Sequence, residues 1–501
     1  MMIDLAPEYL NIVRNILRQY VPDAQVWAFG SRVTWTAKEF SDLDLVIIHD
    51  ELIPADNMVQ IAEDLSESNL PIKIDILEWR SISEEFRKEI TKQHYSIYKY
   101  RLGEIGNIVT GKTPITRFSH YFGKDIPFIT PRDMDDTRYI TETDRSLSID
   151  GARSVKSAMI PKNSIVVSCI GSDMGKIAIA REKSVTNQQI NSLIVNDEND
   201  FLYVYYSLCT KRHELRSIAS GSALPILNKS DFEKIEIDLP SLETQKETAH
   251  ILGTLDDKIE LNRRMNNTLE EIAQALFKHW FIDFEFPNEE GKPYKSSGGE
   301  MVDSELGLIP KGWGVGGIED MGTICGGSTP STKNQKYWGG NTPFVTPKDL
   351  TSLTSLYLVS TERRITLDGV KRISSGVLPE NTILLSSRAP IGYIALLIEP
   401  SSVNQGFIAI QCKNPRFIQY VLLWLSSNID LIKQYANGST FLEISKDNFR
   451  RIKIVIPGHD VIDEFNKCCV SLFTLMKHTT LALSQLVQIR QQLLVYLINS
   501  I

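Results

Sequence analysis

The sequence predicts a mixed α/β (α+β) chain in which a small N-terminal domain precedes a unit of globule and long helix that occurs twice. Three observations predict it. Segments of the second half repeat segments of the first at an offset that drifts only between 216 and 218 residues. Each copy ends in a strand-like run and a proline, after which apolar residues fall on alternating three- and four-residue steps, the seam of a coiled coil. Residues 1 to 98 stand outside the repeat and carry three strand-like runs of their own.

In the N-terminal domain, VWAFGSR (26 to 32) reads as a strand entering a turn, SDLDLVII (41 to 48) as a strand with two carboxylates, and IKIDILEW (72 to 79) as one with a third. Residues two apart on a strand face one side. Asp42 and Asp44 therefore share a face, and with Asp75 they make a set of carboxylates suited to a hard divalent cation such as Mg²⁺. Gly30 lets the backbone approach a phosphate, and Ser31 with the helix start behind it supplies donors. Arg32, next in the turn, is grouped with them as a nucleotide contact.

The repeat begins after residue 98. GKTPITRFSHYFGKDIPFITPRDM (111 to 134) returns as GSTPSTKNQKYWGGNTPFVTPKDL (327 to 350), SIDGAR as TLDGVK, IPKNSIVVS as LPENTILLS, TNQQ as VNQG, and GSALPILNKSDF as GSTFLEISKDNF. This places one globule at 99 to 240 and the other at 313 to 457. The first helix, 241 to 286, carries Leu252, Leu255, Ile259, Asn262, Asn266, Leu269, Ala273, Leu276 and Trp280 on its seam. The second, 458 to 501, carries Ile462, Phe465, Cys469, Leu472, Met476, Thr479, Leu483 and Leu486. The helices are expected to pair antiparallel under a pseudo-two-fold axis, with Asn262, Asn266 and Thr479 as a central polar layer that sets register at a cost in stability. The Gly- and Ser-rich stretch within 287 to 312 reads as the linker between halves.

Bulk properties narrow the function classes. At about 150 residues per domain, 501 residues suggest roughly three units, and 42% hydrophobic with 23% charged residues is ordinary globular composition. No run of about 18 apolar residues occurs and the N-terminus lacks signal-peptide regions, so a cytoplasmic location is expected. The six cysteines show no C-x-x-C spacing and read as reduced, buried thiols. The net charge of −8 lies in residues 1 to 98, which hold 17 of 62 acidic and 9 of 54 basic residues; the remainder is balanced. No dinucleotide fingerprint is present. NPRF (414 to 417) falls one residue short of the N-P-P-[YF] of adenine methyltransferases.

GNIVTGKT (106 to 113) fits the P-loop pattern letter for letter. Its aligned counterpart GTICGGST (322 to 329) keeps the glycines and the threonine but has Ser328 where Lys112 stands. Thr-Pro follows in both copies where a P-loop helix should begin. The motif is better read as the first turn of the repeated globule.

LDDKIELNRRMNNTLEEIAQALFKHWFIDFEFP (255 to 287), SELGLIPKGW (304 to 313) and the duplicated TP…YF/YW…PFITP/PFVTP text resemble the specificity subunits of type I restriction-modification systems over residues 99 to 501. The resemblance implies that each globule reads one half of a bipartite double-stranded DNA site and that the helices space the globules and dock two methyltransferase subunits, which the restriction endonuclease/translocase subunit joins. A helix of about 40 residues spans about 60 Å, against about 34 to 36 Å for a turn of DNA, so the half-sites should be interrupted. The globules differ at surface positions, so the site should be asymmetric. Candidate DNA contacts are Lys112, Lys124, Arg132, Arg153, Lys156, Asn187, Gln188 and Gln189 in the first copy. In the second they are Lys333, Lys348, Arg363, Arg364, Lys371, Arg372, Arg388, Asn404 and Gln405.

The pattern G-S-x(10)-D-x-D with a third acid resembles minimal nucleotidyltransferases of the polymerase-β type. That resemblance implies a nucleoside triphosphate substrate and Mg²⁺, with Asp42 and Asp44 as shared metal ligands and Asp75 as ligand and base. The text after GSR, VTWTAKEF, departs from the usual basic and glycine-containing run, which leaves the nucleotide and acceptor open. Two orderings of function also stay open: a DNA-specificity subunit with an accessory nucleotidyltransferase, or a metal-dependent nucleotidyltransferase whose duplicated domains are a targeting scaffold.

Overall fold

The computed structural model describes residues 3–49, 52–135, 137–218, 226–351, 353, 355–388, 390–437 and 442–499. The openings of the repeated segments GSALPILNKSDF and GSTFLEISKDNF lie outside the described residues. The chain divides into two compact units, residues 1–257 with 489–501, and residues 258–488.

In the first unit, the N-terminal domain is a four-stranded sheet ordered Ile74–Glu78, Leu43–Ile48, Gln25–Phe29, Tyr95–Ser96. Only the first pair is parallel. A parallel pair needs a crossover, and the helix Ala55–Glu67 supplies it. The helix Pro7–Tyr20 starts on a proline, whose missing N–H would be unpaired there anyway, and adds Leu10, Val13 and Leu17 to the sheet's core. Arg14, 2% exposed, donates Nε to the Ile97 carbonyl at 2.7 Å and Nη2 to that of Lys99, and lies 3.8 Å over the Tyr100 ring. Arg18 reaches the Leu239 carbonyl at 3.1 Å, and Ser241 and Thr244 donate to Asp23 Oδ1 at 2.9 and 3.1 Å. The domain is thus fastened to the next globule by hydrogen bonds as well as by the chain.

That globule has two five-stranded sheets. One runs Gly106–Thr110, Ile190–Val195, Ile165–Ser168, Ile177–Ala180, Tyr139–Ile140; the other runs Met159–Ile160, Ser184–Thr186, Ile126–Ile129, Ser146–Leu147, Phe122–Gly123. Central runs such as IVVS and IAIA are buried at every residue, as strands covered on both faces must be. GNIVT is a strand in this sheet, and the first element after it is a short turn at Ser119–Tyr121. No P-loop helix follows. Gly111 is small because a Cβ there would strike the Asn187 carbonyl, and Gly327 is small because one would strike that of Val403.

The long helix Leu242–Phe277 continues in a π turn, Lys278–Ile282. The C-terminal helix is His459–Asn499. Within the first unit, Arg490 Nε donates to Asp256 Oδ1 at 3.0 Å, Tyr206 Oη donates to Asp256 Oδ2 at 2.7 Å, and Leu494 and Ile498 join a core with Leu252 and Tyr205.

The second unit repeats the globule. Its five-stranded sheet is ordered Gly322–Cys325, Phe407–Cys412, Ile383–Ser386, Ile394–Leu397, Tyr357–Leu358, beside a three-stranded sheet of Arg363–Ile365, Trp338–Val345 and Ser402–Val403. The central register recurs as well, Ile165 opposite Ile179 in one copy and Ile383 opposite Leu396 in the other. Within this unit Asn266 Nδ2 donates to Thr480 Oγ1 at 3.1 Å and the Trp280 ring meets Phe465 at 5.6 Å. Numbers rise on one helix as they fall on the other, so the pair is antiparallel. Asn262, Asn266 and Thr479 are all buried.

One expectation needs correction here. The partner of Asn266 is Thr480, one residue beyond the seam position Thr479. An α-helix drifts relative to a 3.5-residue repeat, and the drift brings Thr480 inward, where it also meets Ser355 Oγ at 2.8 Å and the Met476 carbonyl at 2.6 Å. The stretch read as a linker carries structure of its own. It holds a hairpin, Met301–Ser304 with Gly307–Pro310, and a stack of Tyr294 on Phe286 and Phe286 on Trp313 at 4.6 and 5.1 Å. The aromatics flanking its glycines and serines supply a small core.

Candidate functional site

The N-terminal sheet brings the predicted acids onto neighbouring strands. Asp44 lies opposite Asp75 in the parallel pair and opposite Phe29 in the antiparallel one. Phe29 leads into Gly30, which has φ 77°, and a Cβ there would stand 2.5 Å from Asp44 Oδ2. Only glycine lets the turn rest on that carboxylate. Burial, then the charges of Asp75 and Asp42, push the Asp44 carboxyl above its ordinary range. Such a site gains from an added cation, and a donor set that is all oxygen is in its chemistry suited to Mg²⁺.

The cation present is Lys73. Its Nζ lies 2.5 Å from Asp75 Oδ1, and that hydrogen bond, with the charges of Asp75, Asp42 and Asp44, raises its pKa. Asp42 sits just before the strand and is exposed. Among the described residues no three His, Cys, Asp or Glu side chains are gathered to hold a metal ion. The expected trio is therefore not closed up as a ligand set, because Asp75 is engaged by Lys73. Sequence reasoning missed Lys73, although it lies two residues before Asp75 and hence on the same strand face.

Ser31 opens the four-residue helix Ser31–Thr34. Arg32, expected to contact nucleotide, is 6% exposed and donates to the carbonyls of Ser41 at 2.9 and 2.7 Å and of Asp4 at 2.8 Å. It clamps the returning loop, which the sequence could not show because that loop carries no periodic signal.

The DNA-contact candidates separate by environment. Lys112, Lys124, Arg132, Lys156 and Lys333 are exposed. Arg153 pairs with Asp150 at 3.3 Å, Lys348 with Glu362 at 2.8 Å, Lys371 with Asp368 at 3.1 Å and Arg388 with Glu443 at 3.9 Å. Arg363 lies 3.5 Å over the Trp338 ring, Arg372 6.0 Å over Tyr337, and Arg364 Nη1 donates to the Asn341 carbonyl at 2.6 Å. Gln188 and Gln405 accept from Thr113 and Thr329, each at 2.6 Å. Asn187, 8% exposed, donates Nδ2 to Gln189 Oε1 at 3.0 Å, and Asn404 accepts from the Gly406 N–H at 2.8 Å. Asn187 and Asn404 are thus engaged within their globules, while Gln188 and Gln405 are exposed and use only an acceptor oxygen in these bonds.

One α/β globule built twice, each copy leading into a long helix and showing different side chains on one frame, defines a duplicated recognition subunit. Residues 97–271 and 310–461 match the family described as the type I restriction modification DNA specificity domain, and the chain belongs to that family. Residues 11–101 match the polymerase beta nucleotidyltransferase family. The chain is similar to the type I restriction enzyme MjaIX specificity subunit of Methanocaldococcus jannaschii, 34% identical over 50% of this chain and 57% of that one. It is similar to the HindI specificity subunit of Haemophilus influenzae, 26% identical over 62% of this chain and 78% of that one. Its N-terminal part is 47% identical to the probable protein adenylyltransferase MntA of Haemophilus influenzae, over 19% of this chain and 83% of MntA. Among the described residues no helix is long and apolar enough to cross a membrane.

Proposed function

We propose that the chain is the DNA sequence-specificity subunit of a cytoplasmic type I restriction-modification complex. The globules at 99 to 240 and 313 to 457 each bind one half of an asymmetric, bipartite site in double-stranded DNA. The helices at 241 to 286 and 458 to 501 dock two methyltransferase subunits, and the restriction subunits join that core. The observation that carries this reading is the repeat itself, one frame presenting two different sets of exposed side chains. Methylome sequencing with and without the gene tests it: a gapped, asymmetric motif that disappears with the gene is expected, and a continuous or palindromic motif refutes it.

The N-terminal domain, residues 1 to 98, adds a nucleotidyl-transfer activity. The name carried by MntA supports ATP as donor and a protein hydroxyl as acceptor. Gly30 and Ser31 receive the triphosphate through main-chain N–H groups. Asp42, Asp44 and Asp75 hold Mg²⁺, which when bound offsets the charge of the triphosphate. The acceptor oxygen bonds to the α-phosphorus, the bond from that phosphorus to the bridging oxygen breaks, and pyrophosphate leaves. Asp75, released from Lys73, takes the hydroxyl proton. Incubation of the complex with α-labelled ATP and Mg²⁺ or Mn²⁺ should label this chain or a partner. No label on any subunit refutes the activity, and loss of DNA modification in an Asp42→Ala, Asp44→Ala variant would make the transferase the principal function.

A further inference from the structure

The repeat permits a subtraction. Thr130 donates its N–H and Oγ1 to Asp133 Oδ2 at 2.7 Å, and Thr346 does the same to Asp349. Asp133 Oδ1 accepts from the Asp144 N–H and Asp349 Oδ1 from the Glu362 N–H, both at 2.7 Å. Asn187 Oδ1 accepts from the Gln189 N–H at 3.1 Å as Asn404 Oδ1 does from Gly406, and the Thr113–Gln188 and Thr329–Gln405 bonds match as well. Groups that serve both copies identically cannot make two half-sites different.

What remains is found in a cleft of the first globule, a cavity of 740 Å³ whose lining includes Arg132, Asn187 and Gln189. The counterparts of Arg132 and Gln189 in the second globule are Lys348 and Gly406. Lys348 is folded onto Glu362 at 2.8 Å. A Cβ on Gly406 would lie 2.9 Å from Pro347 Cγ and 3.1 Å from Asn404 Oδ1, so that wall is closed to a side chain. In the first globule the same position carries the half-buried Gln189, whose Oε1 accepts from Asn187 at 3.0 Å. An amide oxygen has two lone pairs, so one acceptor site on Oε1 and, among the described residues, both donors on Nε2 are left.

We propose that Gln189, oriented by Asn187, reads an adenine in the half-site bound by the first globule, with exposed Arg132 meeting the adjoining DNA backbone. A side-chain amide offers the acceptor and donor that match adenine N6 and N7 in the major groove, and an arginine beside it suits phosphate. Gly406 cannot make the equivalent contact, so this one position separates the two half-sites. The inference rests on the DNA-specificity reading above.

The test uses the full chain in complex with its methyltransferase subunits, and target DNAs carrying every single-base change in both half-sites. With Gln189→Ala, discrimination at one adenine of one half-site falls on the order of 10- to 100-fold, the size of one bidentate base contact, while the other half-site is read unchanged. With Gln189→Glu, which presents only acceptors, preference at that position moves from adenine toward cytosine. Unchanged discrimination in both variants, or a uniform loss at every position, overturns the inference while leaving the DNA-specificity reading in place. If the wild-type complex recognises no bipartite site, that reading falls and the inference with it. Equal melting temperatures of variants and wild type exclude misfolding as the cause.

Discussion

Asn266 is fully buried where the two long helices cross within the second unit, and its amide is only half used. Nδ2 donates to Thr480 Oγ1 at 3.1 Å, but among the described residues Oδ1 has no partner. Asn266→Leu keeps the number of heavy atoms and opens no cavity. It loses one hydrogen bond, about 1 kcal/mol, and relieves an unpartnered buried acceptor, which costs about 1–3 kcal/mol. Thr480 stays satisfied by the Met476 carbonyl and Ser355. The net expectation is a gain of about 1 kcal/mol, seen as a melting temperature higher by about 2–4 °C for a unit of this size.

If the layer sets register, that gain has a functional counterpart. A slip of one heptad moves a helix by about 10 Å, equal to about three base pairs at about 3.4 Å each. The Asn266→Leu complex should therefore methylate, besides the native target, sites whose half-sites are spaced differently, whereas wild type accepts one spacing. Thermal and urea unfolding of the full chain give the stability, and a spacer-length series of target DNAs gives the register. A loss of more than about 1 kcal/mol would refute the reasoning, since the polar layer would then stabilise the pair rather than cost stability.

Arg490→Met breaks the pairing with Asp256, whose side chain is 12% exposed, and should cost about 2–4 kcal/mol in urea unfolding, most of it recovered in the Arg490→Met, Asp256→Asn double variant. Gly30→Ala places a methyl 2.5 Å from Asp44 Oδ2 at a φ of 77°; about 1–3 kcal/mol of strain and loss of label transfer are expected, with the methylated DNA sequence unchanged. Asp44→Asn should raise the melting temperature at pH 7 in metal-free buffer. The folded domain raises this carboxyl's pKa above the ordinary 3.8, so the fold binds its proton more tightly than the unfolded chain does, and stability falls as pH rises through that window. The difference between variant and wild type should vanish below the ordinary value; a difference that persists there would refute the assignment.

The architecture was legible because it rests on periodicity. The repeat offset and the heptad steps reflect which faces are buried, and burial is written in residue type. The hairpin at Met301–Pro310 and the stack of Phe286, Tyr294 and Trp313 in the same stretch escaped because the strands are short and the three aromatics are spread over 28 residues with no period to betray them. Thr480 escaped for a related reason: a strict seam count ignores the drift of a real helix.

Site residues were legible only in kind. The sequence places Asp44 and Asp75 on strands but cannot show that those strands are parallel neighbours in register, nor that Lys73 spans the face they share. It offers Arg32 as a nucleotide contact because it cannot show a loop returning to put the Ser41 and Asp4 carbonyls around the guanidinium. The amides of the recognition globules carry the same lesson further. Asn187, Gln188 and Gln189 are three adjacent residues of equal chemical promise, and hydrogen bonding sorts them: Asn187 and Gln188 repeat the bonds of Asn404 and Gln405, while Gln189 alone stands where the second copy has glycine. A duplicated protein contains its own control, and the difference between its copies separates Gln189 from its neighbours where neither copy alone could.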